Sequence, residues 1–262
     1  MDEIKIIFAV IFGLCFGSFA NVLIYRMPRK ISIILPPSQC PACSHRLRVL
    51  DLLPVASWLA LGGSCRYCKA SIGWRYPIVE LVCALLFVAM VGFTASFSAI
   101  PLAFFAFILV SISLIDWDTQ EIPDGLLVAG GICGILWVVM AYFAPYAFPL
   151  APYWLDGVLG VVAGALPLLL IDRLAIFVLK KDGFGYGDVK LMAVAGLFLG
   201  WQLVFVAYYF AFIIGGVYAI FLLVTRRARR GGYMAFGPFL ALGILGALWF
   251  GQKFISAMFF VA

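Results

Sequence analysis

The stretch IFVLKKDGFGYGDVKLMAV (176–194) decides how the rest of the chain is read. Glycines alternate at 183, 185 and 187, and Asp188 closes the series. Inside a soluble strand–loop–helix unit, such glycines would suggest a phosphate-binding loop. No G-x-x-x-x-G-K-[ST] is present, however, and the flanks are apolar runs of membrane grade rather than a soluble βα unit. The stretch is therefore read as a link between membrane spans, with a carboxylate at its end.

Outward from that link, the composition agrees. Of 262 residues, 66% are hydrophobic and 11% are charged, against about 25% charged in soluble domains. Mean hydropathy is +1.14. The expected fold is an all-α polytopic membrane protein. With ~20 residues needed per crossing, spans are expected at about 6–25, 77–97, 101–115, 125–143, 155–179, 190–200, 203–224 and 235–260, about eight transmembrane helices in all. The sixth is short enough to be a half-span, and Asp172 and Arg173 leave the inner end of the fifth open. The first run follows Asp2 and Glu3 instead of a basic region, so it reads as a retained helix.

Lysine and arginine orient such a chain, because they concentrate in cytoplasmic loops. Arg26, Arg29, Lys30, Arg46, Arg48, Arg66, Lys69 and Arg75 lie between the first and second spans. Lys180, Lys181 and Lys190 flank the glycine loop, and Arg226, Arg227, Arg229 and Arg230 follow the seventh span. Eight spans place these clusters on one face, the cytoplasmic one, while 98–100, 144–154 and 201–202 carry no lysine or arginine. The N-terminus is then outside. The net charge of +6 is topological, and no soluble basic face exists for nucleic acid.

Residues 26–76 form the one long polar segment. It holds CPAC (Cys40, Cys43) and CRYC (Cys65, Cys68), 21 residues apart. Two such knuckles supply four thiolates that can close a tetrahedron round a structural Zn²⁺. A reducing cytoplasm favours metal over disulfide. His45, the single histidine, is superfluous to that set.

The other polar cluster is SLIDWDTQEIPD (113–124), expected on the same membrane face as the glycine loop. Acids near a bilayer are costly and point to function. Asp188 and Asp124 also suit helix starts, and Asp118 suits solvent. Asp116 fits a structural role least, since an anion is disfavoured at a helix C-terminus. It needs a proton or a partner, and a second carboxylate sharing its proton would serve. The glycines are expected to permit positive φ and close approach. Serine chemistry lacks a base other than His45, and no H-E-x-x-H occurs.

These blocks carry a resemblance. FGSFANVLIYRMP (16–28), SQCPACSHRL (38–47), the 53–81 segment, LIDWDTQEIPD (114–124), GYGDVKLMA (185–193) and AFGPFLALG (235–243) occur in an order that resembles the type IV prepilin peptidases. These are membrane aspartic proteases of bacterial type IV pilus and type II secretion systems. The resemblance implies a catalytic pair, Asp116 and Asp188. It implies prepilin or pseudopilin substrates cut at the cytoplasmic face of the bacterial inner membrane, with the bilayer itself as the other partner. It also implies transfer of a methyl group from S-adenosylmethionine to the new N-terminus. The expected division is a first helix (1–25), a cytoplasmic zinc-binding loop domain (26–76) and a membrane peptidase core (77–262).

Methyl-donor residues are not legible. The long loop and Glu80 are the places to look, and Glu80 equally suits a buried acid paired with Arg75 or Arg26. Two rivals of other classes stand against the peptidase. A proton-coupled transporter would place acids near mid-bilayer and often show internal repeats. A non-catalytic zinc scaffold would have no use for Asp188.

Overall fold

In hydrocarbon the backbone has no water to bond, so an apolar chain satisfies its polar groups internally, as helices. A computed structural model describes residues 3–93, 99–143, 153–180, 183–226 and 234–259 and follows that rule. The helices are α1 (Glu3–Arg26), α2 (Ala56–Ala60), α3 (Arg75–Phe93), α4 (Ala99–Thr119), α5 (Asp124–Phe143), α6 (Trp154–Leu179), α7 (Tyr186–Val224) and α8 (Gly237–Phe259). All but α2 are long and apolar enough to cross a membrane. Asp182 and most of the 144–154 and 226–234 connections lie outside the described residues.

The chain divides into two compact units, up to Ser111 and from Ile112 onward. In the first, α1 packs on α3 with no side chain between Gly17 and the backbone of Glu80. Phe16 meets Phe87 and Phe104 at ring-centroid distances of 5.6 and 5.7 Å. Between these helices the polar segment carries short antiparallel bridges, Gln39 with Arg46 and Ser64 with Ser71, one at each cysteine knuckle.

The second unit holds α5–α8 and the last turns of α4, and its main event is at Gly200. The 39 residues of α7 are two helices joined there, where φ is 69° and ψ 171°, a conformation open essentially to glycine alone. Phe184 and Phe212 are 28 positions apart, roughly 42 Å along a straight helix. Their rings lie 6.2 Å apart, so the chain doubles back. The expected spans at 190–200 and 203–224 are the two arms of this reversal. The first arm also packs on α6, with Gly160 against Gly196 backbone to backbone, as small residues permit in membranes. The fifth span does not end early at Asp172: α6 runs through it to Leu179.

Candidate active site

Asp116 lies on the last turn of α4 and is 5% exposed; Asp188 is the third residue of α7 and is 8% exposed. The carboxylates are near enough for their charges to interact. Asp116 was expected to need a partner, and a second one is present besides Asp188. Gly237 opens α8 and donates its backbone N–H to Asp116 Oδ2 at 2.8 Å. First-turn N–H groups have no partner within their helix, and the dipole there favours an anion.

The cap reading of Asp188 does not hold. Gly185 occupies the cap position, and Asp188 lies beyond it in the first turn of the helix. Asp188 points inward, and its Oδ1 is buried with no hydrogen-bond partner among the described residues. A buried polar atom left unmatched is costly, and one on a carboxylate calls for a functional account.

Of the two roles expected of the glycines, positive φ is not the one they take. Positive φ occurs at Gly62, Gly63 and Gly200, but at none of Gly183, Gly185 and Gly187. Space is the constraint: a Cβ on Gly187 would sit 2.8 Å from Ile122 Cβ, and one on Gly183 2.9 Å from Ala175 Cβ. The loop is also tied down. Asp172, buried in α6, accepts the N–H groups of Gly183 (3.0 Å) and Phe184 (3.3 Å) through Oδ1. Sequence reasoning missed this clamp, although a carboxylate inside an apolar span was the signal for it.

Phe184, Phe212 and Phe236 form a mutual ring cluster with centroids 5.3–6.2 Å apart. Phe236 leads directly into Gly237. The remaining acids of the turn face outward: Asp118 and Glu121 are exposed. Asp124 begins α5 and pairs with Lys190 Nζ at 2.6 Å, both largely exposed.

The four cysteines converge. The sulfurs of Cys40, Cys43, Cys65 and Cys68 all lie within 4.8 Å of one another and can hold a metal ion. Each knuckle turns alike: Ser44 N–H bonds Cys40 O and Lys69 N–H bonds Cys65 O, with positive φ at Ser44 and Lys69. Backbone N–H groups of Cys68 and Tyr67 aimed at the Cys65 sulfur hold that thiol down to about 7. His45 stays outside the cluster, its ring on Tyr67 at 3.6 Å. Glu80 is buried and accepts the Val55 N–H at 2.7 Å, while Arg26 donates to the carbonyls of Ser32 and Pro37.

Residues 11–93 match the family model of the bacterial peptidase A24 N-terminal domain, and residues 102–220 that of the type IV leader peptidase family. Three similar proteins carry the name prepilin leader peptidase/N-methyltransferase. The one from Pseudomonas putida is 36% identical over 95% of this chain and 92% of its own. That of Pseudomonas aeruginosa is 35% identical over 92% and 89%, and that of Aeromonas salmonicida 31% over 91% and 89%. No solved structure matches.

Proposed function

The chain belongs to the type IV leader peptidase family, and from that membership we infer that it removes the leader peptide from prepilins or pseudopilins and methylates the N-terminus so exposed. Asp116 and Asp188 are the catalytic pair. The observation that carries this is the inward carboxylate of Asp188, buried with one oxygen unmatched and near enough to a second buried carboxylate for their charges to interact.

Such a pair holds one proton between its members. The ionised carboxylate takes a proton from water, whose oxygen attacks the scissile carbonyl carbon. The protonated one gives its proton to the carbonyl oxygen. The C–N bond then breaks as the amide nitrogen is protonated, and the leader leaves with a new carboxyl end. The two carboxylates titrate as a unit, so the roles belong to the pair. Positioned acid–base groups contribute about 10²–10⁴-fold, and the remainder falls to orientation. Orientation is the task of Gly237, which fixes Asp116, and of Asp172, which fixes the loop before Asp188.

The four cysteines hold a structural Zn²⁺. Tetrahedral Zn–S bonds of about 2.3 Å put sulfurs about 3.8 Å apart, and Cys40 and Cys68 stand at 3.8 Å. Four thiolates leave no open position, so the metal organises residues 26–76 and takes no part in cleavage. The methyl donor is S-adenosylmethionine. The site faces the cytoplasm at the inner membrane, a reading supported by the basic clusters of the sequence. A prepilin presents its scissile bond there, because its apolar helix stays in the bilayer.

The test is direct. Full-length protein in detergent, mixed with a prepilin, should shorten it by the leader, read by mass spectrometry. A transporter or a zinc scaffold would leave the leader in place, and that result would overturn the reading.

A further inference from the structure

The first unit contains a cavity of about 370 Å³ that proteolysis does not need. It opens among the inner end of α1, the two cysteine knuckles, α2 and the start of α3. Its size falls within the ~300–1,000 Å³ usual for small-molecule sites.

Three features at this site bear on what it takes, two of them the cavity-lining side chains Glu80 and Trp58. The first is Glu80, an acid only 7% exposed whose carboxylate is held by neutral groups, the Val55 N–H and the Ser18 hydroxyl. Once ionised, a carboxylate held by neutral donors attracts a cation placed beside it. The second is Val55. Its φ of 59° with ψ of −48° is one that a β-branched residue rarely takes, and it is this residue whose N–H meets Glu80. Backbone outliers of that kind gather at ligand sites. The third is Trp58, a cavity-wall indole fixed on several sides. Its Nε1 donates to Ile72 O at 3.0 Å, its ring lies 4.2 Å from that of Trp74, and Gly63 leaves it space that a Cβ would fill at 2.8 Å. Arg26, 8% exposed, lines the same cavity, and its guanidinium donates to the backbone carbonyls of Ser32 and Pro37.

An immobilised indole, a buried carboxylate and a buried guanidinium form a complementary set for one ligand class: a nucleoside joined to a zwitterionic amino acid and bearing a positive centre between them. We propose that this cavity is the S-adenosylmethionine site, with Trp58 stacking the adenine, Glu80 opposing the sulfonium and Arg26 meeting the carboxylate. The proposal rests on the methyltransferase reading above and assigns it residues. When bound, S-adenosylmethionine supplies a methyl group to the pilin amine: an N–C bond forms, the C–S electron pair stays on sulfur, S-adenosylhomocysteine leaves, and the ammonium proton passes to water. Glu80 is a binding residue here, acting by charge.

That charge makes the test specific. S-adenosylhomocysteine has the same adenine and amino acid tail but a neutral sulfur. Binding of each compound to detergent-solubilised full-length protein is measured by equilibrium dialysis with radiolabelled ligand, for wild type, Glu80→Gln and Trp58→Ala. Zinc content serves as the check on folding. Glu80→Gln should weaken S-adenosylmethionine at least tenfold while changing S-adenosylhomocysteine little; Trp58→Ala should weaken both. Equal binding in all three proteins, or equal loss of both ligands in Glu80→Gln, overturns the assignment.

Should a variant lose its zinc, photolabelling of the wild type with an azido-adenine analogue decides. Label in the 53–63 peptide supports the site, and label confined to residues beyond Ser111 overturns it. Wild type that binds neither compound and leaves cleaved pilin unmethylated overturns the methyltransferase reading, and the cavity assignment with it. Binding that survives unchanged in the variants removes the cavity assignment alone.

Discussion

Gly237 and Asp116, 121 residues apart, are joined by a 2.8 Å hydrogen bond from the first N–H of α8 to a carboxylate oxygen on the last turn of α4. The glycine is required by space, since a Cβ built there lies 2.8 Å from the same oxygen. Gly237→Ala should push the carboxylate aside. Displacements near 1 Å cost on the order of 10²-fold in rate. Single-turnover leader cleavage should fall by about that factor, with zinc content unchanged.

Asp116→Asn and Asp188→Asn should each abolish cleavage, and the double variant should be no worse than either, because residues acting as a unit are non-additive. Asparagine keeps the shape but cannot carry the proton. Asp124→Asn should differ: its exposed pair with Lys190 is worth roughly 0–1 kcal/mol, so turnover stays near wild type. If Asp188→Asn kept its turnover while Asp124→Asn lost it, the assignment would be reversed.

Asp172 provides a graded test of the clamp on the glycine loop. Asparagine retains a carbonyl oxygen that can accept the N–H groups of Gly183 and Phe184, whereas alanine leaves both without it. Gly183 is exposed and Phe184 half-buried, so the loss is that of the bonds themselves, about 0.5–1.5 kcal/mol each, and Asp172→Ala should lower the melting temperature and slow cleavage more than Asp172→Asn. Equal effects in thermal unfolding and turnover would show that these bonds are not what holds the loop.

Cys65→Ser should reduce bound zinc from about one ion per chain to none, since a structural site needs all four ligands. Metal binding in such domains is folding free energy, so limited proteolysis should then cut within 26–76 first. Metal analysis of anaerobically prepared protein is the companion measurement. A disulfide without metal would contradict the site.

Gly200→Val places a β-branched residue at φ 69°, ψ 171°, a strain of about 1–3 kcal/mol. The expected outcome is a lower melting temperature together with reduced cleavage, because the reversal positions the arm that carries Asp188. A neutral result in both assays would show that the chain reverses without needing glycine there.

Some of this was legible from sequence because it rests on local chemistry. Apolar runs near 20 residues must become helices in a bilayer whatever they touch. Paired C-x2-C knuckles bring their own turns, and the ordered blocks carry the family. Glycine at 200 was visible only as one residue inside an apolar region, and two spans were inferred there without the turn that joins them. The acids were harder. A carboxylate in a first helical turn can cap the helix or face inward, and the one-dimensional pattern is the same for both. Packing decided for Asp188, by burying it beside Asp116 while Gly185 took the cap. Asp172, which resembled a misplaced span boundary, became the anchor of the loop. The N–H that meets Asp116 came from a helix more than a hundred residues away. Local propensity acts over a few residues and can be read along the chain, whereas the partner of a buried polar group is chosen by whichever distant segment the fold brings to it.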